Sequence, residues 1–159
     1  MVKIKIITIG NLKEKYLVDG CKEYLKRLSR YAKLDVIELS EEKISSNPSL
    51  SEIEQVKIKE CERILKKITE RDYVIVLDVN GKQFDSVEFA KYIDEVMISN
   101  SCLVFVILGS YGLADNLRKR ANLLFSLSKA TFTHQLTRLI LLEQIYRIFK
   151  ILNNETYHK

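Results

Sequence analysis

The sequence has a single proline, Pro48, five glycines and no tryptophan in 159 residues. With so few chain breakers there is no Pro/Gly-rich linker, and collagen-like and low-complexity chains are excluded. Histidine occurs twice, at His134 and His158, and cysteine three times, at Cys21, Cys61 and Cys102. Three cysteines so far apart form neither a disulfide framework nor a CxxC pair, so they read as reduced, partly buried thiols. No group of His, Cys and Asp has ligand spacing, so no metal is expected. Apolar runs stay short, as in Leu103–Leu108, against the roughly 18 residues that mark a membrane span. Lys3 and Lys5 break the N-terminal segment and no signal-type apolar block follows, so a cytoplasmic protein without a membrane partner is expected. GxGxxG, GxxxxGK[ST] and GxSxG are all missing, which disfavours a dinucleotide enzyme or a P-loop NTPase.

What is present is the composition of a globular domain. Hydrophobic residues make up 47% and charged residues 30%. The length suits one domain covering residues 1–159. Lysine and arginine number 26 against 21 acidic residues, a net charge of +5. That surplus is compatible with an RNA partner without demanding one.

Periodicity along the chain alternates between strand and helix. Lys3–Ile9 reads as a strand ending at Gly10. Leu12–Ala32 reads as a basic helix with an apolar stripe of Tyr16, Leu17, Cys21, Tyr24, Leu25 and Leu28, weakened by Gly20. Leu34–Leu39 is a second strand. Glu41–Leu50 is polar, carries the proline and is expected to be a mobile loop. Ser49 with Glu52 makes a capping box for a second helix. Tyr73–Val79 is almost continuously apolar, the pattern of a strand covered on both faces in a parallel sheet. Asp85 with Glu88 caps a third helix, Leu103–Leu108 is a buried strand, and a short basic helix carries Arg118–Arg120. Leu123–Leu127, a polar loop Ser128–His134 and a helix Gln135–Leu152 complete the chain. This order predicts an α/β fold: a largely parallel sheet with helices on both faces. Apolar residues on the last helix spread beyond one face, which suggests a homodimer interface.

Parallel sheets bind ligands at the carboxyl ends of their strands. Three loops stand there: the one after Tyr73–Val79, the Gly109–Gly112 turn, and Leu127–His134. The ending Tyr157-His158-Lys159 gathers a phenol, an imidazole and an ammonium, and His158 has the intrinsic chemistry to take or position a proton.

Several stretches together resemble a known family. They are Leu103–Leu113 (LVFVILGSYGL), Phe125–Gln135 (FSLSKATFTHQ), Leu142–Lys150 (LEQIYRIFK) and the ending Tyr157-His158-Lys159, with Ile7–Tyr16 and Glu54–Lys57 in support. They are similar to the RlmH family, the SPOUT-class pseudouridine N3-methyltransferases of 23S rRNA, over essentially the whole chain. The resemblance implies a SPOUT-type knot, a C-terminal trefoil that is a rare exception to unknotted chains. It implies a homodimer and S-adenosylmethionine as methyl donor, with no metal. It implies as substrate the pseudouridine of the decoding-site hairpin of 23S rRNA within the 70S ribosome. Donor-binding positions then fall at Leu77, Leu108, Gly109, Leu127, Ser128, Lys129, Ala130, Thr131 and Phe132. Tyr157 and His158 become the catalytic positions, and His134, Arg138 and Lys159 the rRNA-binding ones.

The sequence departs from the family pattern at Leu108, where a glycine is usual, and at Thr133, where a proline is usual. The leucine side chain either fills space meant for the donor or points into the core. In the first case the chain is a non-catalytic ribosome-binding relative, which is the alternative reading. A flavodoxin-like ligand or signalling domain is the other alternative, disfavoured by the last helix. The threonine is expected to loosen its loop.

Overall fold

The computed structural model describes residues Met1–Lys159. Strands β1 (Val2–Ile9), β2 (Ala32–Leu39), β3 (Tyr73–Lys82), β4 (Cys102–Ile107) and β5 (Leu123–Phe125) alternate with helices α1 (Lys15–Leu28), α2 (Leu50–Leu65), α3 (Ser86–Ser99), α4 (Asp115–Arg120) and α5 (His134–Leu152). The strands form one sheet in the order β2-β1-β4-β3-β5, and every pairing is parallel. The α/β architecture expected from the alternating pattern is therefore the one observed.

Side chains alternate across a strand, and here that alternation sorts the core in two. Ile4, Ile6, Ile75, Leu103 and Phe105 face a layer made by α1, α3 and α5. Ile7, Ile9, Val74, Val76, Val104 and Val106 face α2 and α4. Both faces are covered, which is why the central strands read as unbroken apolar runs.

Both capping boxes form: Ser49 with Glu52 opens α2, and Asp85 with Glu88 opens α3. Helix α1 is shorter than the stripe suggested. Ala32 pairs with Val2 and so belongs to β2, and Tyr16 is exposed rather than packed. Gly20 does not interrupt the helix. A Cβ there would sit 3.0 Å from Leu139 Cδ1, so the glycine lets α5 cross closely. Strand β3 runs on through Asn80-Gly81 instead of ending at Val79. At Gly81 a Cβ would meet the Leu124 backbone at 2.6 Å, so glycine permits the tight approach of β5.

The 41–49 segment is a loop, as expected, and hydrogen bonds attach it and its approach to α2. The Glu42 amide donates to Glu60, 3.0 Å, Ser45 donates to Glu52, 2.9 Å, and Arg63 donates to the Ser40 carbonyl. Helix α5 lies against both α1 and α3, and Tyr157 stands edge-on to its Tyr146, with centroids 5.0 Å apart. Neighbours within the chain thus absorb much of its wide apolar spread.

Candidate active site

Because all five strands run parallel, their carboxyl ends open to one side. There the segments following β3, β4 and β5 enclose a cavity of about 660 Å³, within the usual range for small-ligand sites. Its walls include Leu77, Ile107, Leu127 and Phe132, with Asp78, Ser110 and Thr131 as polar groups. None of its 18 lining residues is lysine or arginine, and Asp78 supplies a carboxylate. Such a site suits an uncharged or cationic ligand with an apolar body, not a phosphorylated one.

Glycine shapes the middle loop. A Cβ at Gly109 would lie 2.9 Å from both Glu60 Oε1 and Ile9 Cγ2, so this backbone can be seated only without a side chain. Gly112 has φ +89°, a left-handed conformation, and donates its amide to the Gly109 carbonyl, 3.2 Å. Leu108 packs against the core cluster under α2 and α4 while contributing to the cavity edge. The leucine thus leaves the cavity open.

The third loop is held from within. Ser126 Oγ donates to the Ser128 carbonyl, 2.9 Å, and the Ala130 amide donates to Ser128 Oγ, 3.0 Å. Thr133 has a local role of its own. It is the N-cap of α5, accepting from the Leu136 amide at 3.3 Å, and its φ of −60° is the value a proline would impose.

A family model described as "Predicted SPOUT methyltransferase" matches residues 2–158. The chain belongs to the SPOUT methyltransferase family. The chain is also similar to proteins named Ribosomal RNA large subunit methyltransferase H. That of Enterococcus faecalis is 52% identical over 159 residues, covering 99% of this chain and 100% of the relative. That of Streptococcus suis is 51% identical with the same coverage, and that of Desulforamulus reducens is 50% identical over the full length of both chains. SPOUT membership implies the knotted form of the parallel sheet and S-adenosylmethionine as methyl donor. The cavity fits that donor: apolar walls would suit an adenosine body, and a lining with a carboxylate and no lysine or arginine would suit a sulfonium.

Measured against the SPOUT site, Leu77, Leu108, Gly109, Leu127, Ser128, Ala130, Thr131, Phe132 and His134 all line the cavity. Lys129, expected among them, is exposed and does not. Arg138 is only 5% exposed. Its guanidinium donates to Glu38 at 2.8 Å, Thr8 Oγ1 at 2.9 Å and the Gly10 carbonyl at 3.3 Å. It therefore braces the ends of β1 and β2 from beneath.

The tail stands apart from the cavity. Tyr157 donates to Glu143, 3.2 Å, and lies under the Arg147 guanidinium, 4.7 Å from its ring centroid. Burial, with Tyr24 and the Glu143 carboxylate beside it, pushes its phenol well above the ordinary range, so it stays protonated and acts as a donor. His158 Nδ1 is 3.1 Å from Arg147. His158 borders a smaller cavity that shares Phe125, Leu127 and Phe132 with the large one. The loop after β5 thus separates tail from cavity, and Lys159 is exposed beyond it.

Sequence reasoning missed Asp78 as a lining residue and overlooked the loops after β1 and β2. The signal was available, since Gly10 and Ser40 also end parallel strands.

Proposed function

We propose that this chain transfers a methyl group from S-adenosylmethionine to N3 of a pseudouridine in the decoding-site hairpin of 23S rRNA, on the assembled 70S ribosome. The observation that carries the reading is the cation-free, three-loop cavity at the carboxyl ends of β3, β4 and β5, in a SPOUT chain about half identical, end to end, to large-subunit rRNA methyltransferases. One domain, residues 1–159, carries the whole activity.

The donor, when bound, supplies an electrophilic methyl on a sulfonium centre. The chain's task is to align and desolvate, and such positioning accounts for much of the gain in transfers of this kind. Leu77, Leu108, Gly109, and Leu127, Ser128, Ala130, Thr131 and Phe132 hold the donor. Asp78 favours positive charge nearby. N3 of a neutral base carries a proton that must leave. Tyr157 and His158 act on the target base, the phenol as donor and the imidazole as the group that accommodates the proton. His134 at the cavity edge and Lys159 contact the rRNA, and Arg138 holds the wall that the RNA meets.

Tyr157 and His158 lie behind the 125–132 loop of their own chain, so the tail must shift or act on a second copy. The homodimer is part of this reading. Exposed Tyr16 and Leu136 stand at one end of the α1–α5 pair, next to the Lys13 amide that donates to Gln135, 2.9 Å. No helix is long and apolar enough to cross a membrane, and a ribosomal substrate puts the protein in the cytoplasm.

The test is labelled methyl transfer to ribosomes lacking the modification, with the native protein beside Leu108→Gly. Transfer by the native protein is expected, with no gain from glycine, because Leu108 packs on the core. Transfer by the glycine variant alone would make the native chain a ribosome-binding relative with a closed site.

A further inference from the structure

A second, smaller cavity of about 390 Å³ adjoins the first. His134 and Gln135 belong to both. The rest of its wall comes from the segments after β1 and β2, including Gly10, Asn11, Ser40 and Glu41. Leu39 is the one hydrophobic residue among the nine that line it. A space beside the donor cavity that offers both hydrogen-bond donors and acceptors suits a polar acceptor of the methyl group.

This wall is firmly built. The Gly10 amide donates to the Leu39 carbonyl, 2.7 Å. The Gly10 carbonyl accepts from Thr8 Oγ1 at 3.1 Å and from Arg138 at 3.3 Å. Gly10 has φ +94°, and a Cβ there would come within 3.2 Å of His134 Nε2 and 3.3 Å of Glu41 Oε1. The missing side chain brings imidazole and carboxylate together over the floor. The two carboxylates of the wall differ in what they have left to offer. Glu38 is engaged by Arg138 at 2.8 Å. Glu41 accepts no hydrogen bond: the His134 ring is 3.9 Å from it, too far for one, and Lys13, which also lines the cavity, makes no ion pair with it. Glu41 is therefore the acceptor without a partner.

The chemistry of the substrate supplies one. In pseudouridine the ribose is joined to C5, so both ring nitrogens carry hydrogen; in uridine N1 carries the ribose and has none. N1 and N3 flank the same carbonyl carbon. When N3 is turned toward the donor cavity, the N1–H points away from it, into the wall that holds Glu41. We propose that the second cavity seats the target base and that Glu41 accepts its N1–H, so that this carboxylate selects pseudouridine over uridine. The inference rests on the methyltransferase reading above. A site built to bond an N–H discriminates against the analogue that lacks it, because its polar group is left unpaired. Glu41 is half-exposed, so the preference it adds is about 10- to 100-fold, the range of one hydrogen bond to a charged group.

Two measurements test this. In the first, ¹⁵N-labelled protein saturated with S-adenosylhomocysteine is titrated with pseudouridine 5′-monophosphate or uridine 5′-monophosphate, following backbone amides. The pseudouridine nucleotide is expected to shift Gly10, Asn11 and Glu41 at concentrations about 10-fold lower than the uridine nucleotide, and Glu41→Ala is expected to erase the difference. Equal responses to both nucleotides, or no response of these amides to either, would overturn the proposal. In the second, single-turnover transfer is compared on ribosomes carrying pseudouridine or uridine at the target. Glu41→Ala should lower the pseudouridine-to-uridine ratio by about 10-fold or more, and Glu41→Gln, which keeps a neutral acceptor, by less. An unchanged ratio in Glu41→Ala overturns the role of Glu41 alone. Failure of the native protein to methylate either ribosome would instead remove the methyltransferase reading.

Discussion

The two ends of the parallel sheet are built on opposite plans. At the amino ends polar groups satisfy one another. Asp72 accepts from the Thr69 amide at 2.8 Å and from Lys5 at 3.1 Å. Arg120 donates to the Thr69 and Asp72 carbonyls, both at 2.8 Å, and Asn122 closes the gap to β3 through its side chain and amide. At the carboxyl ends the segments part around two adjoining cavities; the buried Arg138 ties Glu38, Thr8 and Gly10 together there, but Glu41 in the cavity wall has no hydrogen-bond partner. Closed networks hold a fold together, and groups left unpaired in a cleft are free to meet a ligand. The contrast teaches that this one sheet is closed by paired polar groups at one end and opens around cavities at the other, where the proposed site lies.

The largest expected effect tests whether chemistry is confined to the carboxyl end. Deleting Tyr157–Lys159 should slow single-turnover methyl transfer about 1000-fold, within the range for losing acid–base help, while calorimetry shows donor affinity unchanged. Full activity without the tail would place all the chemistry in the cavities. Asp72→Ala probes the opposite end. The side chain is 5% exposed and paired with Lys5, itself 13% exposed. Breaking such a pair leaves a buried charge, and urea denaturation should show a loss of about 3 kcal/mol with donor affinity per folded molecule intact. A fall in donor affinity would mean that the two ends are coupled.

The same carboxylate gives a pH signature. Burial pushes Asp72 up, but the Thr69 amide and Lys5 outweigh it, and the group ends below its ordinary value. A depressed native value means that the folded state favours the ionised form. Its contribution is complete at neutral pH and disappears as the pH falls below about 4 through the native value. Asp72→Ala should accordingly flatten the acid limb of stability against pH.

Smaller effects sharpen the contrast where the ends meet. Gly109→Ala places a methyl 2.9 Å from Glu60 and Ile9. It should cost about 2 kcal/mol by overpacking and weaken donor binding, because the loop must move. Unchanged donor affinity would show that the Gly109 backbone does not touch the donor. Glu60→Gln should change least. Burial raises the Glu60 carboxyl above its ordinary value, against the hydrogen bond from the Glu42 amide. A raised native value makes the ionised form destabilising, so stability declines as pH rises above about 4.3. Glutamine keeps an acceptor for Glu42 and removes that decline, for a gain below about 1 kcal/mol at pH 8. Denaturation at pH 5 and pH 8 checks it, and a loss at pH 8 would show that the charge itself is needed to hold the loop.

Much of this was legible in the chain. The apolar runs Tyr73–Val79 and Leu103–Leu108 announced strands covered on both faces, and both capping boxes marked helix starts correctly. Residues of the three loops singled out as a ligand site do line one cavity. The misreadings share a cause. Gly20 was judged by local propensity and the third strand was ended at Val79, yet each is decided by a contact that spacing cannot reveal: Leu139 against Gly20, and the Leu124 backbone against Gly81. Tertiary packing overrides local preference at such positions. Arg138 looked like a surface cation because helix periodicity does not report that Glu38, one hundred residues away in sequence, lies beneath it.

By itself the sequence determined the order of elements, the parallel α/β class and the family, because periodicity, caps and motif order are local properties of the chain. Only the tertiary structure decided which way the Leu108 side chain points, that the tail lies behind a loop, and that Gly10, Glu41 and His134 meet at a second cavity. Those facts depend on contacts between segments far apart in sequence, which packing alone brings together.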